Sequence, residues 1–408
     1  MWLFIIALYL AFMNSLDLLF NLTALKIFNF SIIELGFFNG LWILTYICFV
    51  RIAGKFVDQG LFKKSLAISV FSIVSSMIIY IYAVDSLFKF ILYASYMIHA
   101  VAVSFTRLAA STSILEYYES SKWDIASKNF TYLVLFSESI LLIMFSMNGF
   151  QDTVYNSQLL LIPLIITGIL SIKYIPQPTL MIERTLFSIE KNLSKMLIPV
   201  HASLSLGYQS INTPSKLQII NRIFNSAIIK PSTILVCLIA LRISNEYVLT
   251  PLPYHMFNVA LYTPDQVLFI YGFAKLLSSF LILFLSINII SRGSRVSAII
   301  ARLISAFIIY LYINNTALVI PLLALILYAN ALLDSVFYTL YIESTHGYRT
   351  EKYSLVNEVS GFTGSLTSGV IYLYTGTTNI LILILLTTIL FLSLIVKPIM
   401  KTHRYGYV

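Results

Sequence analysis

Charge is the first thing this chain is short of. Asp, Glu, Lys and Arg make up 11% of its 408 residues, against 59% hydrophobic residues. That balance excludes an ordinary soluble globular domain. Cysteine is nearly absent: Cys48 and Cys237 both fall inside apolar runs, which excludes a disulfide framework. No glycine-rich loop leads into a Lys-Ser/Thr pair, so nothing cradles a nucleotide phosphate and ATP-driven transport by this chain alone is not expected. His-Glu-x-x-His does not occur, the five histidines are scattered, and no Asp-Asp-x-x-Asp holds magnesium against a prenyl diphosphate. No catalytic centre, cofactor or metal is therefore expected, and an integral membrane enzyme is the weakest reading.

What the chain has in abundance is long apolar segments. Mean hydropathy is +0.89. Runs of roughly 18 to 25 residues recur, each long enough to cross a bilayer as a helix. The runs are continuous rather than alternating, which excludes a strand barrel. A net charge of +9 raises nucleic acid as a partner. The basic residues sit in short loops between the runs, so they read as topology and no nucleic-acid partner is expected. The start, Met1-Trp2-Leu3-Phe4, lacks a basic n-region, and Asn14 and Asp17 interrupt the run behind it. It reads as a retained first span rather than a signal peptide.

The apolar pattern predicts about twelve spans, roughly 2–22, 33–53, 65–83, 89–114, 128–147, 158–175, 231–250, 265–287, 296–313, 316–341, 353–375 and 377–397. They fall into two similar sets. Ser31 and Gly40 recur as Thr263 and Gly272, and Lys63-Lys64-Ser65 as Ser294-Arg295-Val296-Ser297. Glu119-Ser120 after the fourth span recurs as Glu343-Ser344 after the tenth. A six-span unit used twice is the expected organisation: one bundle over 1–175, a linker over 176–230, and a second bundle with a short tail over 231–408.

Loops on one side carry Arg51, Lys55, Lys63, Lys64, Lys122, Lys128, Arg292, Arg295, Arg349 and Lys352, with the basic residues of the linker and tail. The other side has Lys26 and Lys89. This bias predicts a multi-pass protein of the cell membrane with both termini in the cytoplasm. In the linker, Ile182, Leu186, Ile189, Leu193 and Met196 form one helical stripe, backed by Glu183, Arg184, Glu190, Lys191 and Lys195. Such a helix suits the anionic lipid of the inner leaflet. It either tethers the two bundles or offers a regulator a site.

Twelve spans as six plus six, cytoplasmic termini and a long central loop resemble the major facilitator superfamily over the whole chain. The family's signature between spans two and three is Gly-x-x-x-Asp-x-x-Gly-x-Arg/Lys. This sequence reads Gly54-Lys55-Phe56-Val57-Asp58-Gln59-Gly60-Leu61-Phe62-Lys63-Lys64 there. Gly54, Asp58 and Lys63 fit. The second glycine comes one place early, and Gln59 stands where an arginine is usual. The resemblance implies an inner-gate latch at Asp58. In the second half, Ser286 and Ile290 replace Gly54 and Asp58, so the latch is expected to be lopsided. Proton-coupled exporters of the family often carry an arginine in span four about twenty residues before an acidic loop residue. Counting back from Glu119 lands instead on His99.

Ionisable groups inside hydrocarbon cost at least about 2.5 kcal/mol each, so they mark a cavity or one another. They fall on Asp17 in span one, beside the polar Asn14, on His99 and Arg107 in span four, on Arg242 and Glu246 in span seven, and on Asp334 in span ten, beside the polar Asn330. The family resemblance implies that these four spans line the central cavity. Arg107 and Asp334 are expected to pair when the inner side closes, and Asp17 with Arg242 nearer the centre. Arg242 and Glu246, four apart, equally satisfy one another on one helix, and His99 equally serves packing. Asp17 and Glu246 are the preferred coupling carboxylates, with Glu138 a further candidate. Lys275 either attracts an anionic solute or neutralises Glu138. Arg302 and Glu358 are expected to snorkel to the cytoplasmic surface. Gly361, Ser365 and Gly369, and likewise Ala102, Thr106 and Ala110, form small faces for close helix packing.

These readings converge on a secondary active transporter of a small organic solute, a monomer, coupled to a proton or another ion. A lipid or lipid-linked-sugar flippase and a non-transporting receptor or scaffold are the alternatives.

Overall fold

A computed structural model describes residues 1–118, 123–176, 231–284, 292–345 and 352–374. All regular structure among the described residues is helical. Six helices make up the amino-terminal half with a short seventh among them: α1 (Trp2–Lys26), α2 (Ile32–Asp58), α3 (Phe62–Ser86), α4 (Lys89–Tyr117), α5 (Trp123–Asn148), α6 (Phe150–Tyr155) and α7 (Gln158–Tyr174). The carboxyl-terminal half follows with α8 (Pro231–Leu249), α9 (Leu252–Asn258), α10 (Pro264–Phe284), α11 (Arg292–Leu311), α12 (Thr316–Thr345) and α13 over 352–374. The span expected at 377–397 and the linker stripes lie outside the described residues, as do Glu119, Ser286 and Ile290. The short helices α6 and α9 were not expected from the apolar pattern. Each holds only a turn or two between two spans, too short to show a period of its own.

Eight of the helices are long and apolar enough to cross a membrane, and α7 and α11 add shorter apolar segments. The protein is a multi-pass membrane protein. Helix α1 is buried on nearly all sides, which marks it as a central element of its bundle.

Helix ends follow local chemistry. Ser31 caps α2 through a box in which Glu34 N–H donates to Ser31 Oγ at 3.3 Å and Ser31 N–H donates to Glu34 Oε2 at 2.8 Å. Helix α10 starts the same way: Thr263 N–H donates to Gln266 Oε1 at 2.9 Å, and Gln266 N–H to Thr263 Oγ1 at 3.3 Å. The Ser31/Thr263 repeat in the sequence is thus a repeat of capping chemistry. Helix α2 ends at Asp58, and Gly60 turns the chain with φ 73°, which a side-chain-bearing residue adopts only under strain.

Within the first half, α3 packs on α4, α2 on α4, and α1 on α5 and α7. Between α3 and α4 the glue is serine: Ser69 Oγ donates to the Ala102 carbonyl at 2.9 Å and lies 2.6 Å from Thr106 Oγ1. Ser76 and Ser95 each donate to the other's carbonyl, at 2.8 and 2.7 Å. Small polar residues let the two backbones approach and satisfy each other without water.

Among the described residues, two seams between the halves are built around glycine. One is α5 against α10, where a Cβ on Gly272 would come within 2.8 Å of Ile143 and 3.3 Å of Leu142. The other is α2 against α13, where a Cβ on Gly40 would come within 2.8 Å of Leu366. Gly40 and Gly272 are repeat mates, and each faces a helix of the opposite half. Two pseudo-symmetric bundles follow from that arrangement.

Candidate functional site: a charged cleft between the halves

Buried polar groups of the first half are tied into one network. The Tyr96 hydroxyl (α4) donates to Asp17 Oδ1 (α1) and lies 2.9 Å from Asn39 Oδ1 (α2). Asn21 Nδ2 donates to the Asp17 carbonyl at 2.9 Å and to the Tyr96 hydroxyl at 3.3 Å, and Asn39 Nδ2 donates to Asn21 Oδ1 at 2.9 Å. Tyr96, Asn21 and Asn39 were not singled out from the sequence. Asn21 stands one turn after Asp17, and that spacing is the signal that could have found it.

His99 is fully buried in the same region. Trp42 Nε1–H donates to its Nδ1 at 2.9 Å, and its Nε2 lies 3.0 Å from the Met13 carbonyl. An indole can only donate, so Nδ1 must be the acceptor and Nε2 carries the hydrogen. A second proton on Nδ1 would face the indole N–H. This arrangement fixes one neutral tautomer and ties α1, α2 and α4 together.

Arg107 and Asp334 are exposed, yet neither points away from the bundle. Arg107 donates to Asn14 Oδ1 at 3.4 Å, and its guanidinium carbon lies 6.0 Å from the centre of the Tyr46 ring. Asp334 Oδ1 accepts the Tyr353 hydroxyl of α13 at 2.9 Å. Each is within electrostatic reach of the other, but no direct ion pair joins them in this conformation. Both are exposed and within electrostatic reach across the two halves, so they face a common cleft between α4 and α12.

On α8, Arg242 Nη2 lies 3.2 Å from Glu246 Oε1, and Glu246 Oε2 also accepts Thr250 Oγ1–H at 2.8 Å. The same-helix pair forms, and Asp17 is engaged by Tyr96 rather than Arg242. Glu138 (α5) and Lys275 (α10) form an ion pair across the halves, with side-chain exposures of 2% and 15%. Arg302 and Glu358 do not snorkel. Arg302 is 3% exposed and donates to Ser244 Oγ at 3.1 Å, while Glu358 is 7% exposed and within reach of Arg107 and Arg242. Both occupy helix faces turned toward the bundle interior, where other polar groups lie closer than the surface. Asn330 stands one turn before Asp334 on α12. Its Oδ1 is buried and accepts no hydrogen bond.

The cleft is closed at one end. A Cβ on Gly36 would meet the Ser365 carbonyl oxygen at 2.9 Å, and one on Gly369 the Ile32 carbonyl oxygen at 2.6 Å. Asp265 accepts from the Phe150 N–H through its carboxylate and from Ser146 Oγ through its carbonyl, at 2.9 Å. Lys26 sits 5.8 Å from the centre of the Phe257 ring. Toward the other end, Gly54 has no neighbour within 4 Å of a built Cβ, and Lys63 flanks the turn after Asp58. Among the described residues, no group of three His, Cys, Asp or Glu side chains could hold a metal ion.

No protein-family model matches the sequence, and no curated protein resembles it. Solved structures do resemble it in shape. A D-xylose-proton symporter superposes with a TM-score of 0.64 at 11% identity, over 96% of this chain and 96% of its own. A structure from work on substrate recognition in proton dependent oligopeptide transporters superposes with a TM-score of 0.64 at 12% identity, over 98% of this chain and 96% of that one. At such identities the likeness is one of architecture, and it covers nearly the whole chain: this protein has the major facilitator fold.

Proposed function

We propose that this chain is a secondary active transporter that moves a small organic solute by alternating access, coupled to a proton or another ion. The observation that carries the reading is the cleft itself. Ionisable side chains of both halves lie within electrostatic reach of one another, beside an end closed by glycine-mediated helix contact. Charges at membrane depth are retained where they bind or move something. Two structural neighbours are, by their descriptions, proton-coupled transporters, which supports the same class.

In this reading the bodies over 1–175 and 231–408 rock against each other, joined by the 176–230 linker resting on anionic inner-leaflet lipid. Both termini lie in the cytoplasm of a cell-membrane protein, so the conformation described is inward-facing. Asp17 is the coupling carboxylate: Tyr96 donates to one of its oxygens, and α1 carries it into the interface. Glu246 is less free, because Arg242 and Thr250 both hold it. When the inner ends approach, Arg107 closes on Asp334, and the turn at Gly54, Asp58 and Lys63 packs against the opposite half. Lys275 and Glu138 hold the seam about which the halves turn.

The test is solute flux in proteoliposomes with an imposed pH gradient. Asp17→Asn is expected to abolish gradient-driven accumulation while leaving solute exchange. Arg107→Asp and Asp334→Arg are each expected to stop net transport and to restore it together. A gradient response that survives Asp17→Asn, or a double swap without rescue, overturns the corresponding role.

A further inference from the structure

Charge in the cleft does not balance. Glu138 is matched by Lys275, and Glu246 by Arg242. Among the described residues that leaves Arg107 and the buried Arg302 against Asp17, Asp334 and Glu358, with Arg242 also within electrostatic reach of Asp334 and Glu358, and Lys275 of Asp17. Four cations thus stand against five carboxylates. Glu358 takes only a long contact from the side-chain amide of its neighbour Asn357, at 3.4 Å. Asp334 opens to the cleft with the Tyr353 hydroxyl on one oxygen.

Two orphaned acceptors lie near Asp334. Asn330 Oδ1 and Asn245 Oδ1 are buried and accept nothing, and Asn245 is only 7% exposed as a residue. Asn330 shares a helix face with Asp334, and α8, which carries Asn245, packs on α12. Both of these oxygens are acceptors that lack a donor, while the buried Arg242 Nε and Arg302 Nε are donors that lack an acceptor. A carboxylate or phosphate on the solute would add negative charge where it is already in excess. An ammonium or guanidinium supplies what is missing.

Aromatic rings complete the setting. Tyr353 lies 5.3 Å from Tyr338 and 5.5 Å from Tyr341, centre to centre, beside the Asp334 carboxylate. Trp42 and Tyr46 stack at 5.6 Å near Arg107. Ring faces attract organic cations and tolerate an apolar body attached to them.

We infer that the cleft takes an organic cation, an ammonium or guanidinium on a partly apolar body. Its charge lies against Asp334 and Glu358, and its N–H groups reach Asn330 and Asn245. This inference rests on the transporter reading and names its substrate class.

The test uses the full chain in proteoliposomes and labelled solutes of similar size: phenethylammonium and benzylguanidinium as cations, phenylacetate as an anion, and a hexose as a neutral solute. Saturable flux of at least one cation is expected, with the anion and hexose not carried. Asp334→Asn and Glu358→Gln are each expected to weaken cation flux about tenfold, the loss of one charge-assisted contact. Asn330→Val should weaken it by a smaller factor and serves where a carboxylate variant fails to insert. Flux of phenylacetate or hexose without the cations overturns the inference and leaves transport standing. Flux of no solute overturns both. Cation flux unchanged in all three variants places the cation elsewhere and overturns the site.

Discussion

The two halves repeat one architecture but treat their buried polar groups differently. In the first, Asp17, Asn21, Asn39 and Tyr96 satisfy one another, His99 is held between an indole and a carbonyl, and serines close the α3–α4 seam. Among the described residues, Arg242 Nε, Asn245 Oδ1, Ser278 Oγ, Arg302 Nε and Asn330 Oδ1 of the second have no hydrogen-bond partner, against Ser157 Oγ in the first. A buried polar group left unpaired costs about 1–3 kcal/mol. A half that carries several is incomplete alone, whereas a half that carries a closed network is a finished, stiff wall. Under the transporter reading proposed above, the contrast would give positioning to the first half and solute contact to the second.

The sharpest way to break the comparison is to cut what joins the halves. Lys275→Ala leaves Glu138, which is 2% exposed, charged and alone at the seam. Removing one partner of a buried pair typically costs about 3–5 kcal/mol, while replacing both by apolar residues is often neutral. The single variant is therefore expected to lose most of its folded yield, and Glu138→Met with Lys275→Met to recover it, read by size-exclusion profile and thermal unfolding in detergent. Equal stability of single and double variants would mean the pair is not a structural joint.

Next in size is the closed end. Gly369→Ala puts a methyl group 2.6 Å from the Ile32 backbone oxygen, and backbone cannot step aside as a flexible side chain can. Overpacking costs about 1–3 kcal/mol, enough to shift a two-state equilibrium more than tenfold away from the closed outer end. Gly54→Ala meets nothing within 4 Å here. It is expected to leave this conformation intact. Cysteine accessibility at the two ends of α2 measures the shift, and equal effects of the two substitutions would refute the asymmetry.

A smaller effect is expected inside the finished wall. His99→Phe keeps the ring but leaves the Trp42 N–H without its acceptor, at about 2 kcal/mol. The pH profile of transport should keep its midpoint, because a histidine fixed in one neutral tautomer takes up no second proton. A displaced midpoint would make His99 part of the coupling path.

Much of this was legible in the sequence. Eleven of the expected spans coincide with described helices, because an apolar run of bilayer length leaves the backbone no alternative to internal hydrogen bonding. The Ser31/Thr263 and Gly40/Gly272 repeats were visible, and their meaning was local: capping boxes and close helix contacts depend on a few neighbours. The candidate charges on α1, α4, α8 and α12 were found because ionisable residues stand out in hydrocarbon. Their partners were not. Tyr96 meeting Asp17, Trp42 meeting His99 and Tyr353 meeting Asp334 join different helices, and the rotation of each helix about its axis is set by packing. Arg302 and Glu358 were misjudged for the same reason: depth along a helix is countable, but the face it presents is not.

The finest distinction concerns the unfinished half. Asn245→Leu replaces an acceptor that has no donor by an apolar side chain of similar size, so it removes an unsatisfied group without creating another. Such a change is expected to be stabilising by about 1 kcal/mol in the solute-free protein, seen as a rise in the thermal midpoint. The corresponding change in the other half, Asn21→Leu, strands Asn39 Nδ2, removes a donor from the Tyr96 hydroxyl and is expected to destabilise by a similar amount. Opposite signs for the same substitution in two halves of one fold would show that the orphaned oxygen serves a bound molecule. If Asn245→Leu lowers the midpoint instead, Asn245 already has a structural partner, and the contrast between the halves loses its most deeply buried acceptor.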